Sequence, residues 1–73
     1  MMRTTVNGKP RETDAGGASE MALLAFLAAH DVNPKLVAVA INGDVIPKST
    51  FGDAVVREGD AIEIVRMVGG GST

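Results

Sequence analysis

The chain opens on a short β-branched stretch, Arg3-Thr4-Thr5-Val6, followed by Asn7-Gly8 and then by Lys9 to Thr13, which has the composition to run back antiparallel. Asn-Gly between two such stretches signals a hairpin, because both residues accept the positive φ of a type I′ turn. Pro10 has no amide hydrogen, so the second strand belongs at a sheet edge or begins after it. Asp14 to Ala18 reads as a loop, after which Ser19 stands where an N-cap belongs and Glu20 falls in a first turn. The spacing predicts a helix over about Glu20 to His30. At about 100° per residue Leu23, Leu24, Leu27 and Ala28, with Met21 at one margin, form one apolar stripe, while Ala22, Ala25 and Ala29 fall opposite. His30 suits the negative end of the helix dipole, and Asn33-Pro34 prevents continuation.

Leu36 to Ile41 is an apolar, β-branched run and reads as a central strand, with Val37, Val39 and Ile41 on one side and Leu36, Ala38 and Ala40 on the other. Asn42-Gly43-Asp44 turns the chain, Val45-Ile46 makes a very short strand before Pro47, and Lys48 to Ala54 is an irregular crossing. Arg57-Glu58-Gly59-Asp60 turns it again into a strand from Ala61 to Val68, where Ile62 and Ile64 alternate with Glu63. The expected fold class is α+β, a mixed sheet packed against one helix, with Leu23, Leu24 and Leu27 set against Val39, Ile41, Ile62 and Ile64. Alternation then puts Ala38, Ala40, Glu63, Val65 and Met67 on the opposite face, a small and flat apolar patch that a partner can cover. Gly69 to Thr73 carries no side chain able to anchor it, so residues 1–68 are expected to form the domain and 69–73 a flexible tail.

Composition narrows the chemistry. Seventy-three residues with 45% hydrophobic positions suffice for one core and not for two. Seven basic against nine acidic residues, unclustered, give a formal charge of −2 and no basic footprint for nucleic acid. Without cysteine there is no disulfide, thiolate metal site or cysteine nucleophile, and burial alone must hold the fold. No apolar run approaches the ~20 residues of a membrane helix, and the N-terminus lacks a signal-peptide apolar region, so a soluble cytoplasmic protein is expected.

Catalytic constellations lack parts. His30 is the only histidine and already has an electrostatic explanation at the helix end. Carboxylates occur singly, unlike the pair of a glycosidase or the cage of a calcium loop. Pro47-Lys48-Ser49-Thr50 looks superficially like the end of a phosphate loop, but Pro47 and Asn42 stand where glycines must let backbone amides wrap the phosphate. Lys48 therefore reads as a solvated turn residue. What remains is the glycine run. By itself it is a linker or an expression scar, yet glycines also thread a narrow channel, and Val68 to Gly71 spans roughly 13 Å when extended.

The order of features separates these readings: an Asn-Gly hairpin, one helix, Val39-Ala40-Ile41-Asn42-Gly43, Val45-Ile46-Pro47, then Glu58-Gly59-Asp60-Ala61-Ile62-Glu63-Ile64 and Val68-Gly69-Gly70-Gly71. Over nearly all of residues 1–71 this resembles the ThiS family, ubiquitin-like sulfur carriers of thiamin biosynthesis within the ThiS/MoaD superfamily. The resemblance implies a β-grasp fold and a protein that is a co-substrate, not an enzyme, with no bound cofactor and no metal. It implies that an E1-like enzyme uses ATP to adenylate the carboxylate of Gly71, with Gly69 and Gly70 as the unobstructed approach. Sulfur from a cysteine-desulfurase relay then displaces AMP to give a thiocarboxylate, which thiazole synthase consumes. Ser72 and Thr73 depart from that pattern, since a Gly71 in peptide linkage has no free carboxylate. Proteolytic processing, an expression scar and an inactive carrier each account for them. Two other readings stay open: a carrier of a related pathway, such as the molybdopterin-synthase small-subunit type, and a non-covalent β-grasp interaction module.

Overall fold

The computed structural model describes residues 1–67, so the expectations for Val68 to Thr73 lie outside the described residues. In chain order the elements are β1 (Met2–Val6), β2 (Lys9–Thr13), β3 (Glu20–Ala22), α1 (Leu23–Ala29), β4 (Val37–Ile41), β5 (Asp44–Ile46), β6 (Val55–Arg57) and β7 (Ala61–Arg66). Short 3-10 turns at Pro34–Leu36 and Lys48–Thr50 complete the path. Five strands form a mixed sheet in the order β2-β1-β7-β4-β5, and β3 pairs with β6 in a separate two-stranded sheet. Among the described residues only β1 and β7 run parallel, with Thr5 opposite Ala61 and Val6 opposite Ile62.

Both Asn-Gly turns form as expected. Asn7 and Gly8 have φ of 52° and 83°, and Asn42 and Gly43 have 53° and 88°, the pair of positive values that a type I′ turn demands. β2 is an edge strand and includes Pro10, whose missing amide hydrogen costs nothing on the open side.

The helix begins later than the spacing suggested. Glu20 to Ala22 are extended and hydrogen-bonded sideways to Val55–Arg57, with Met21 opposite Val56. Ala22 occupies the N-cap position without a side-chain bond, and the first helical amide, Leu23 N–H, donates to the Ala54 carbonyl at 2.9 Å. Ser19 is therefore not the cap; its carbonyl accepts from Glu58 N–H at 2.8 Å. Tertiary pairing with β6 overrides the local helix signal. Likewise Leu36 belongs to the 3-10 turn before β4, and the crossing from Lys48 to Ala54 buries Phe51.

With Met21 in β3 and no longer on the helix face, the buried stripe also differs from the expected one. Leu23, Phe26 and Leu27 are fully buried, whereas Leu24 is 41% exposed and Ala28 is exposed. Positions 23, 26, 27 and 30 are the i, i+3, i+4, i+7 set of a helix face. The core consists of Met2, Leu23, Phe26, Leu27, Val37, Val39, Phe51, Val56 and Ile62, with Ile41 and Ile64 packed half-buried at its margin.

The outer sheet face and the end of β7

Pairing of β4 with β7 sets Ala38 opposite Val65 and Ala40 opposite Glu63, and pairing of β4 with β5 sets Val45 opposite Ala40. Directly opposed residues share a face, so Ala38, Ala40, Glu63, Val65 and Val45 lie together on the side away from α1. They line a shallow depression whose surface is almost wholly apolar. Val45 is 74% exposed and Val65 61%, with Met67 exposed just beyond β7. Ala38, Ala40, Glu63 and Val65 thus come together as alternation required. Val45 was missing from the expected set because its place depends on the β5 register, which two apolar residues before a proline do not reveal.

Side-chain amides fasten β7 from both sides. At its start, Asn42 Oδ1 accepts from Ala61 N–H at 2.9 Å while Asn42 Nδ2 donates to Asp60 Oδ1 at 3.0 Å. The other oxygen of Asp60 accepts from Arg57 N–H at 2.8 Å, and Gly59 takes φ of 86° to turn the chain between them. Further along, Asn7 Oδ1 accepts from Ile64 N–H at 2.8 Å and Asn7 Nδ2 donates to the Ile64 carbonyl at 3.1 Å. Met67 N–H donates to the Leu36 carbonyl at 2.9 Å, which continues the β4 side of the ladder to the last described residue. Each turn asparagine therefore has a second role that composition conceals. The backbone signal that identifies a type I′ turn says nothing about where the side-chain amide goes.

The remaining candidates have structural partners. His30 Nε2 and Thr13 Oγ1 share a hydrogen bond of 2.8 Å, and the imidazole lies 4.6 Å from the Phe26 ring, so His30 closes the end of the core. Lys48 is more than a solvated turn residue: Nζ donates to the Pro34 carbonyl at 2.9 Å and sits 5.8 Å from the Phe51 ring centroid. The Arg3 guanidinium hydrogen-bonds Glu12, and that bond and the accompanying attraction raise its pKa above the ordinary arginine value. Among the described residues no three His, Asp or Glu side chains gather to hold a metal, and no helix is long and apolar enough to cross a membrane. Gly69, Gly70 and Gly71 lie outside the described residues.

Comparison with known proteins places this arrangement. The chain is 37% identical over 71 residues to a thiazole synthase of Paramagnetospirillum magneticum, covering 97% of this chain and 21% of that protein. A thiazole synthase of Magnetococcus marinus is also 37% identical, over 96% of this chain and 20% of its own length. The chain thus spans about a fifth of the length of these curated relatives. Among solved structures, the thiamine biosynthesis protein (ThiS) of Geobacter metallireducens superposes with a TM-score of 0.80 at 38% identity, covering 96% of this chain and 100% of that one. The mixed sheet around one helix is accordingly a β-grasp fold. The ThiS family model matches residues 4–71, and the chain belongs to the ThiS family.

Proposed function

We propose that this protein is a sulfur carrier of thiamin biosynthesis in which Gly71 bears the reacting carboxylate and Gly69 and Gly70 form its approach. The observation that carries the reading is the extent of the family match, which runs through β7 and on through the glycine run to residue 71. Likeness to a thiamine biosynthesis protein across the whole length of that chain supports the pathway. Two thiazole synthases that contain a stretch like this chain support thiazole synthase as the protein that takes the sulfur.

Chemically, the carrier supplies little beyond a carboxylate and a surface. An E1-like partner directs the Gly71 carboxylate at the α-phosphorus of ATP, releasing pyrophosphate and leaving an acyl-adenylate. The outer sulfur of a persulfide charged by a cysteine desulfurase then attacks the acyl carbon and displaces AMP, and a second thiol cleaves the resulting acyl disulfide, forming a disulfide with the inner sulfur and leaving the thiocarboxylate. Orientation and charge stabilisation belong to the partner's site, so ATP is the partner's substrate and the carrier needs no acid, base or metal of its own. Glycines suit the approach because they add no side chain to a close-fitting channel. The patch of Ala38, Ala40, Glu63, Val65 and Met67, widened by Val45, is the docking face in this reading.

The test compares a chain terminated at Gly71 with one terminated at Thr73, each given the activating enzyme, ATP and the sulfur source. Pyrophosphate release and a mass gain of one sulfur in place of one oxygen are expected for the Gly71 terminus alone. Equal activity of the two termini would refute Gly71 as the acceptor. A non-covalent interaction module would show no mass change with either.

A further inference from the structure

β1 supports only the first part of β7. The parallel ladder has just two registered pairs, Thr5 with Ala61 and Val6 with Ile62, before Asn7-Gly8 turns the chain away into β2. The last main-chain bond on this side runs from Asn7 N–H to the Ile62 carbonyl at 2.9 Å. Along a strand, polar backbone groups point alternately to the two edges, so Ile64 turns its amide and carbonyl to the same edge as Ile62. Both would lack a strand partner there. Instead the Asn7 side chain takes both, at 2.8 and 3.1 Å, one amide oxygen and one amide nitrogen acting as a peptide unit would. Asn7 thus extends β1 past the point where its main chain has left the sheet.

The opposite edge of β7 is held by β4 along its length and by Leu36 at Met67. Without Asn7, the strand beyond Ile62 would be fastened on one edge only, and that segment leads directly to the glycine run. We infer that Asn7 is a positioning residue for the tail chemistry: its side-chain amide clamps β7 at Ile64 and so fixes the direction in which the chain approaches the partner's active site. The inference rests on the sulfur-carrier reading above. Ile64 lies between Glu63 and Val65 of the outer patch, but those two residues turn their own backbone groups to β4, so the pairing that assembles the patch does not depend on Asn7. Its loss therefore leaves docking intact and affects delivery.

The test uses the chain ending at Gly71 with its activating enzyme, comparing the native residue with Asn7→Gly and Asn7→Asp. Glycine keeps the positive φ of the turn and removes the amide, whereas aspartate keeps an acceptor for Ile64 N–H and loses the donor to the Ile64 carbonyl. Amide hydrogen exchange should accelerate at Ile64 in Asn7→Gly and stay slow at Glu63 and Val65, which bond to β4. Pyrophosphate release should show kcat reduced roughly 10-fold with KM nearly unchanged, the pattern of a misdirected but properly docked reactant. Asn7→Asp should fall between the two, and it carries the test if Asn7→Gly is unfolded by circular dichroism. A native kcat in a folded Asn7→Gly or Asn7→Asp with accelerated Ile64 exchange overturns the inference, as does unaltered exchange at Ile64. If the native Gly71 chain itself releases no pyrophosphate, it is the carrier reading that falls.

Discussion

On the side of the five-stranded sheet that faces α1, Met2, Val39 and Ile62 are essentially sealed from solvent and Val37 nearly so. On the other side, the same strands present Ala38, Ala40, Glu63 and Val65, of which Val65 remains 61% exposed. The two sets interleave residue by residue along β4 and β7, so neither strand can shift register without exchanging them. The inward set is large and fills volume, while the outward set is small and nearly featureless. One face finishes its contacts within the molecule, and the other is open to solvent. The period of two in a β-strand thus places a sealed face and an open apolar face in one stretch of sequence.

The sharpest way to break the comparison is on the inner side. Leu27→Ala removes a fully buried side chain against Phe26 and the sheet and should cost about 2–5 kcal/mol, comparable to the whole stability expected of so small a domain. Its thermal or urea unfolding curve should show a chain largely unfolded near room temperature. Replacing Val65 and Met67 together by Asp should do the reverse: the melting curve stays close to native while affinity for the activating enzyme falls at least about 10-fold, since charge enters an apolar contact. Calorimetry or surface plasmon resonance would measure it, and unchanged affinity would move the docking face elsewhere. Gly70→Val should leave both faces and the fold alone yet abolish adenylation, read as pyrophosphate release, because a β-branched side chain narrows the backbone and obstructs a close channel. Leu24→Ala should cost less than about 1 kcal/mol by chemical denaturation, because Leu24 is already 41% exposed. The smallest effect is expected of Glu20→Ala, which breaks an exposed ion pair with Arg57 and should leave the melting curve unmoved.

Leu24 also marks where the sequence is legible and where it is not. Both hairpin turns, the central strand and the sidedness of β4 and β7 follow from Asn-Gly and from strict alternation, signals contained within a few residues. The helix start does not, because Glu20 to Ala22 are extended only through pairing with Val55 to Arg57, far along the chain. A helix that includes Met21 draws its apolar stripe toward Leu24 and Ala28, whereas with Met21 in β3 the face is that of Leu23, Phe26, Leu27 and His30. β6 is three residues long, too short for alternation to register. In the candidate site, the faces of Ala38, Ala40, Glu63 and Val65 were readable by parity. Val45 required a register, and the second roles of Asn7 and Asn42 required knowing which strand lies beside each turn.

The parallel pairing of β1 with β7 has a consequence for the order of assembly. Thr5 and Ala61 are far apart in sequence, yet their strands are neighbours in the middle of the sheet, with β2 outside one and β4 outside the other. Joining them closes everything between β1 and β7 into one loop, an entropic cost met before the contacts it enables are made. A ribosome that has released only the first half of the chain has made β1 and β2 with no β7 to dock them on. The central position stays vacant until the strand carrying the glycine run arrives to fill it. Completion of the sheet therefore waits for β7, and a chain that stops short of it leaves β1 and β4 each with an open edge.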